Sequence, residues 1–402
     1  MESRNGSLSR RAFTTGLGTV GALSLLPSAV PSAQASAPSA ARGGSALWAR
    51  RARDAYAALQ RYLYVSDVGL YMENYPTQEG ENPYSFVWPL REATGATQDV
   101  NQLAPAHKAY DDDVEDRFAS LERYYVPERG AYGSYVPAPL GGGGDPFFDD
   151  NGVIGLEQIR RYRFTGDTAM LAKARRTFDF VTRAWDENGG MHWVEASWNP
   201  YQGATNVTSI ASELAAHLYE ATGEESYLEW AGKTYDWVYR EMRRGAGIYA
   251  NGLRLDGVVE ETRWTYNSGF MIGAATLLGR ATGDPSWAER AEEDFLGAMD
   301  YWTAGDRMYS QPAIFDAILF ANLQLFCSEQ PRHAQSVRGV IEEYAEKIYR
   351  SNRDAETGLF SFGASGGGLP DPAVRPQTLG HSAAIQVFSL LAWSRANFDD
   401  AT

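Results

Sequence analysis

Thr165-Gly166-Asp167, Thr222-Gly223-Glu224 and Thr282-Gly283-Asp284 are three copies of one boundary, standing 57 and 60 residues apart. Glycine suits the position just past a helix, where the backbone turns left-handed, and Asp or Glu suits the start of the next helix. The same style of helix follows each copy: Met170-Leu171-Ala172-Lys173-Ala174, Tyr227-Leu228-Glu229-Trp230-Ala231 and Trp287-Ala288-Glu289-Arg290-Ala291. Thr94-Gly95 is a weaker fourth copy. Outward from these boundaries, apolar residues recur at spacings of three and four, as in Leu171, Ala174, Phe178 and Val181. Few segments show sustained period-two alternation. The pattern predicts twelve helices, at about 47–63, 85–97, 107–123, 149–164, 168–185, 206–221, 225–243, 264–281, 285–302, 311–326, 334–351 and 376–397. Turns after 164, 221 and 281 are short. The links 64–84, 124–148, 186–205, 244–263 and 352–375 are long and rich in Gly, Pro and aromatics. Six hairpins with short turns at one end and long loops at the other describe an all-α (α/α)6 toroid. Its even-numbered helices line the inside and begin at the loop-bearing rim, where function collects. An open solenoid is the alternative; six pairs favour closure.

Composition excludes several functions. A net charge of -15 repels phosphate backbones, so no nucleic-acid partner is expected. No apolar stretch after residue 40 approaches the roughly 20 residues of a membrane span. The one cysteine, Cys327, allows no intrachain disulfide and no thiol-rich metal site; its place beside the apolar run 314–326 reads as a buried thiol. The five histidines, His107, His192, His217, His333 and His381, are scattered, so no metal site and no cofactor is implied. Gly363-Ala364-Ser365-Gly366-Gly367 matches a nucleophile-elbow pattern, but no convincing strand precedes it and Leu369-Pro370 follows in place of a helix. Ser9-Arg10-Arg11-Ala12-Phe13, a weakly apolar stretch from Gly16 to Val30 and Ala33-Gln34-Ala35 read as a twin-arginine signal peptide over 1–35. A disordered basic tail is the blander reading. A flexible linker at 36–46 and one catalytic domain at 47–402 follow. The expected product is a secreted or cell-surface monomer exported by the twin-arginine route.

Phe147-Phe148-Asp149-Asp150-Asn151 opens the fourth helix, on the rim. Glycosidic hydrolysis needs two carboxyl groups, one to protonate the leaving oxygen and one to attack the anomeric carbon or activate water. Adjacent residues have Cα atoms about 3.8 Å apart. Their carboxyls reach the roughly 5–5.5 Å of retaining enzymes more readily than the wider spacing of inverting ones. Two carboxylates this close cannot both ionise cheaply, so one stays protonated as the acid. An Asp pair is equally an ordinary helix cap, and spacing alone leaves both readings open. The other inner-helix starts share aromatic, hydroxyl and amide residues: Tyr84 to Trp88, Asn206 to Ser209, Trp264-Thr265-Tyr266-Asn267, and Gln377, Thr378 and His381. Such groups stack on and hydrogen-bond to a neutral sugar.

Together these segments resemble glycoside hydrolase family 76 over about 47–395. The specific pieces are Phe148-Asp149-Asp150-Asn151, Tyr162 to Asp167, Gly189-Gly190-Met191-His192-Trp193, Asn206 to Thr222, Asp256-Gly257 and Trp264 to Gly269. The resemblance implies an (α/α)6 toroid and endo-acting, retaining cleavage of α-1,6-mannan, with Asp149 as nucleophile and Asp150 as acid/base. It also implies substrate contacts at Asn151, Trp264, Tyr266 and Asn267. Trp88, Asn206 and Thr265 join them as candidate sugar-binding residues from their rim position. The chain departs from the family pattern at Phe148, at Ser268 and in the tenth helix, Gln311 to Asp316, which lacks a basic residue. A non-catalytic glycan-binding toroid, or a toroid hydrolase of another polysaccharide, is the alternative reading.

Overall fold

A computed structural model of the chain describes residues 39–103 and 109–402. The signal segment 1–35, the start of the linker and His107 lie outside the described residues. Among the described residues there are twelve α-helices: α1 (Ser39–Ala58), α2 (Val87–Asn101), α3 (Asp111–Glu122), α4 (Phe148–Thr165), α5 (Thr168–Thr182), α6 (Thr205–Thr222), α7 (Glu225–Trp237), α8 (Thr265–Thr282), α9 (Pro285–Trp302), α10 (Ala313–Glu329), α11 (Ala334–Ser351) and α12 (Thr378–Ala392). The even-numbered helices pack side by side in sequence, and α12 packs back on α2, so the ring closes. The open-solenoid alternative falls on that contact.

Burial separates the two layers. Outer α11 buries one stripe, Ala334, Val337, Ile341, Tyr344, Ala345 and Ile348, at three- and four-residue steps. Inner α6 is buried continuously from Thr205 to Leu218. Small residues let inner backbones approach: a Cβ on Gly269 of α8 would stand 2.9 Å from the Leu319 Cα of α10.

The repeated Thr-Gly-acid motif has a local cause. Gly166, Gly223 and Gly283 adopt φ of 72°, 69° and 68°, and their N–H groups bond to the carbonyls of Tyr162, Tyr219 and Gly279. The preceding threonine hydroxyl donates to the carbonyl four residues back, at 2.7–2.8 Å, and accepts the N–H of the following acid at 3.2 Å. Asp167 and Asp284 then cap α5 and α9 through Ala169 N and Ser286 N, both at 2.9 Å. Glu224 makes no such cap.

Several expectations are corrected. The helix at α1 begins at Ser39, inside the stretch read as linker. It and α7 end in wider π-turns, at Leu59–Leu63 and Val238–Met242. The last helix stops at Ala392 because Trp393 is extended; a short 3-10 turn at Arg395–Asp400 follows. The long links hold nine short strands: β1 (Tyr64–Val65), β2 (Leu70–Tyr71), β3 (Tyr125–Val126), β4 (Ala131–Tyr132), β5 (Tyr201–Ala204), β6 (Arg243–Gly245), β7 (Ile248–Tyr249), β8 (Gly252–Arg254) and β9 (Val259–Glu260). All pair antiparallel, as three hairpins and one β5-β8-β9 sheet. Two- to four-residue strands are too short to display alternation. Cys327 is buried, and burial pushes its thiol up to about 12.

Two glycines give opposite predictions. Gly223→Ala places a Cβ in the left-handed region and should cost about 1 kcal/mol. Gly232, inside α7 with open space around its Cα, should gain up to ~1 kcal/mol as alanine. Urea midpoints moving down and up respectively would verify this assignment of the helix boundary.

Candidate active site

The inner helices direct their N-termini toward a shared cavity of about 250 Å³, open to solvent at the rim. Its wall takes Asp149, Asp150 and Val153 from α4, Asn206 and Ile210 from α6, Tyr266 and Phe270 from α8, Phe315 and Ile318 from α10, and Trp88 from α2. Trp193, Tyr201, Asn251 and Trp264 complete it from loops and β5. Helices α4, α6, α8 and α10 each present a rim residue and one three or four positions deeper, as a 3.6-residue repeat requires, while α2 adds Trp88 alone.

The two carboxyl groups differ sharply in their surroundings. Asp149 Oδ2 accepts from the Trp193 indole at 2.8 Å and the Asn206 amide at 2.7 Å, while Oδ1 accepts from the Asp150 N–H at 2.9 Å. Burial pushes Asp149 up to about 6, and these three donors hold it from rising further. The Asp150 carboxyl has no hydrogen-bond partner among the described residues. Burial first, then the neighbouring Asp149 and Glu92, hold it well above the usual carboxylate range. The arrangement supports one anion, on Asp149, beside one protonated acid, on Asp150.

The aromatic wall is a fixed stack. Phe315 stacks on Tyr266 at 4.0 Å and lies near-parallel to Trp88 at 5.8 Å, with the Trp264 edge at 5.4 Å. The Tyr201 hydroxyl donates to Glu260 and accepts from Asn251 Nδ2 at 3.2 Å. Trp198, 52% exposed, stands at the lip; its indole is tied to Asp145 and its ring lies 6.2 Å from Trp193.

Of the residues singled out from sequence, Asp149, Asp150, Trp88, Asn206, Trp264 and Tyr266 line this cavity. Asn151, Thr265 and Asn267 do not. Asn151 is fully buried and clamps β4 to α4, accepting from Tyr132 N at 2.8 Å and donating to the Tyr132 and Phe147 carbonyls. Thr265 and Asn267 flank Tyr266, so the helical rotation turns both behind the wall, where both are buried. His381 also lies away from the cavity. Its Nδ1 accepts the Phe360 N–H and its Nε2 donates to Ala55, and burial lowers it to about 4. Trp193, Tyr201, Asn251 and Phe315 were not picked out as site residues. Phe315 was legible as an aromatic at an inner-helix start; the others depend on loop paths. Two departures from the family pattern lie off the cavity. Phe148 stacks on Phe180 of α5 at 4.8 Å, and Ser268 bonds Gly247 and Trp302 in the core.

Mannan endo-1,6-alpha-mannosidase DCW1 of Candida glabrata is 32% identical over 136 residues, covering 30% of this chain and 29% of that protein. The corresponding figures for mannan endo-1,6-alpha-mannosidase DFG5 of Saccharomyces cerevisiae are 28% over 180 residues, 40% and 39%. The matches thus span roughly a third of the length of these curated relatives. A family 76 glycoside hydrolase from a bovine Bacteroides thetaiotaomicron strain superposes with a TM-score of 0.75 at 21% identity, over 86% of this chain and 77% of that one. An inactive variant of the α-1,6-mannanase of Salegentibacter sp. HEL1_6, with two consecutive aspartates changed to asparagine, is solved in complex with α-1,6-mannotriose. It superposes with a TM-score of 0.69 at 18% identity, over 86% and 99%. At such identities these two likenesses speak to the fold. The sequence model of the family matches residues 48–365, more than three-quarters of the chain. The chain belongs to glycosyl hydrolase family 76.

Proposed function

We propose that this protein is an exported, retaining endo-α-1,6-mannanase. The observation that carries the reading is the unequal pair: Asp149 held by three donors, Asp150 by none, in an aromatic-walled cavity at the mouth of the ring. The curated relatives named as mannan endo-1,6-alpha-mannosidases support the substrate class. The consecutive aspartates altered in the inactive Salegentibacter mannanase support the choice of this pair. Export by the twin-arginine route is part of the same proposal and suits a polymeric substrate outside the cell. A twin-arginine pair replaced by lysines, with loss of extracellular protein, is its test.

In the first step the Asp149 carboxylate attacks the anomeric carbon of a mannosyl unit. The bond to the leaving oxygen breaks as Asp150 gives that oxygen its proton, and a mannosyl ester of Asp149 forms. In the second step Asp150, now an anion, takes a proton from water, whose oxygen attacks the anomeric carbon and releases Asp149. Two inversions give net retention. The Trp193 and Asn206 donors keep Asp149 ionised and aimed, while the apolar floor of Val153, Ile210, Phe270 and Ile318 excludes water from the ester.

Asp149→Asn and Asp150→Asn should each lower turnover of α-1,6-mannan by roughly 10³-fold or more, with unchanged circular dichroism. Near-normal turnover in either variant would remove that residue from the mechanism. On a mannoside with a strongly acidic aryl leaving group, Asp150→Asn should keep its first step, because that group needs no proton; Asp149→Asn should not.

The pH profile should be bell-shaped. Activity requires ionised Asp149, so it falls as pH drops through about 6. It requires protonated Asp150, whose position well above the ordinary range puts its loss on the alkaline side. A flat profile between pH 4 and 6 would contradict this assignment.

A further inference from the structure

Glu92 lies one turn below Trp88 on α2 and is fully buried. Three donors hold its carboxylate: the Trp88 indole at 2.8 Å, the Arg91 guanidinium at 2.7 Å and the Gln386 amide of α12 at 2.9 Å. Arg91 also pairs with Glu157 at 2.9 Å and donates to the Val153 carbonyl at 3.2 Å. Val153 stands three residues after Asp150 on α4. This bond therefore fixes the Arg91–Glu92 level of α2 against the turn that carries Asp150.

The surrounding charges leave Glu92 with a net effect. Arg91 is one cation shared between two carboxylates, Glu92 and Glu157, so it offsets the Glu92 anion only in part. The groups set against Asp150 are Asp149 on its own helix and Glu92 across the α2–α4 seam. The groups set against Glu92 are Arg91 on α2, Asp150 on α4 and the neutral Gln386 amide on α12. A fixed anion in a low-dielectric setting disfavours ionisation of a neighbouring carboxyl. The same carboxylate anchors the indole of Trp88, whose ring lies near-parallel to Phe315.

We propose that Glu92 is a positioning residue for the reaction: a buried anion that keeps the proton on Asp150 and holds the Trp88 ring in the cavity wall. This rests on the acid/base reading of Asp150 given above. Glu92 touches no reacting atom and acts through its two neighbours.

Glu92→Gln separates charge from shape, since the amide keeps an acceptor for Trp88 and fills the same space. With the anion gone, Asp150 should release its proton at lower pH. The alkaline limb of kcat/KM on α-1,6-mannan should then move down by roughly one pH unit. On the alkaline limb itself turnover should fall by up to about tenfold, with a smaller loss at neutral pH, while KM stays near wild type. Trp88→Phe removes the indole donor and leaves the anion, so it should raise KM without moving the limb. A folded Glu92→Gln protein with the alkaline limb in its wild-type place would overturn the proposal. Carboxyl titration of Asp150 by ¹³C NMR reads the same effect without turnover. It should show the same downward shift, and an unshifted Asp150 would again overturn the proposal. Should the wild type cleave no mannan, the functional reading fails, and this titration decides the role of Glu92 by itself.

Discussion

Two carboxyl groups on adjacent residues cannot both shed their protons into a cavity walled by indole and phenyl rings. The site resolves that conflict by giving every donor to one of them. Trp193, Asn206 and the Asp150 N–H all serve Asp149, and Asp150 is left facing the cavity. The three donors come from three places: the 186–200 loop, α6 and the first turn of α4. The inequality therefore exists only when the ring is closed and the loop is seated. Phe147 contributes to that seating, with its ring 4.9 Å from Trp193.

Beneath the cavity, the inner helices carry charges that a hydrophobic core would not need. Arg91 links Glu92 to Glu157, and Arg160 bridges Glu157 and Asp99. Breaking a buried pair costs more than the pair contributes, so such networks hold helices in register rather than add stability. Here the register matters, because sliding α2 along α4 would part Glu92 from Asp150 and Trp88 from Phe315.

Much of this was legible in the chain. The three Thr-Gly-acid boundaries mark the turns from α4 to α5, α6 to α7 and α8 to α9, because the glycine takes the left-handed turn and the threonine hydroxyl bonds on both sides of it, and apolar spacing of three and four marks the other helices. The Asp pair and the aromatic helix starts mark the rim. What sequence position did not resolve is which side of each inner helix faces the axis. Tyr266 lines the cavity while Thr265 and Asn267 lie behind it, and Asp150 lines it while Asn151 clamps β4. Neighbouring residues on a helix point about 100° apart. A consistent choice of face would have added Ile210, Phe270 and Ile318 as the floor. Trp193, Tyr201 and Asn251 were less accessible to that reasoning, since loop paths and the four-residue strand β5 bring them in.

The central claim is that Asp149 becomes covalently attached to the sugar. Incubation with a fluorinated mannosyl donor that forms the glycosyl-enzyme faster than water removes it, followed by peptide mass spectrometry, measures this directly. The account predicts one mannosyl adduct, located on Asp149 and absent from Asp149→Asn. An adduct on any other residue, or product of inverted configuration with no adduct, would contradict it.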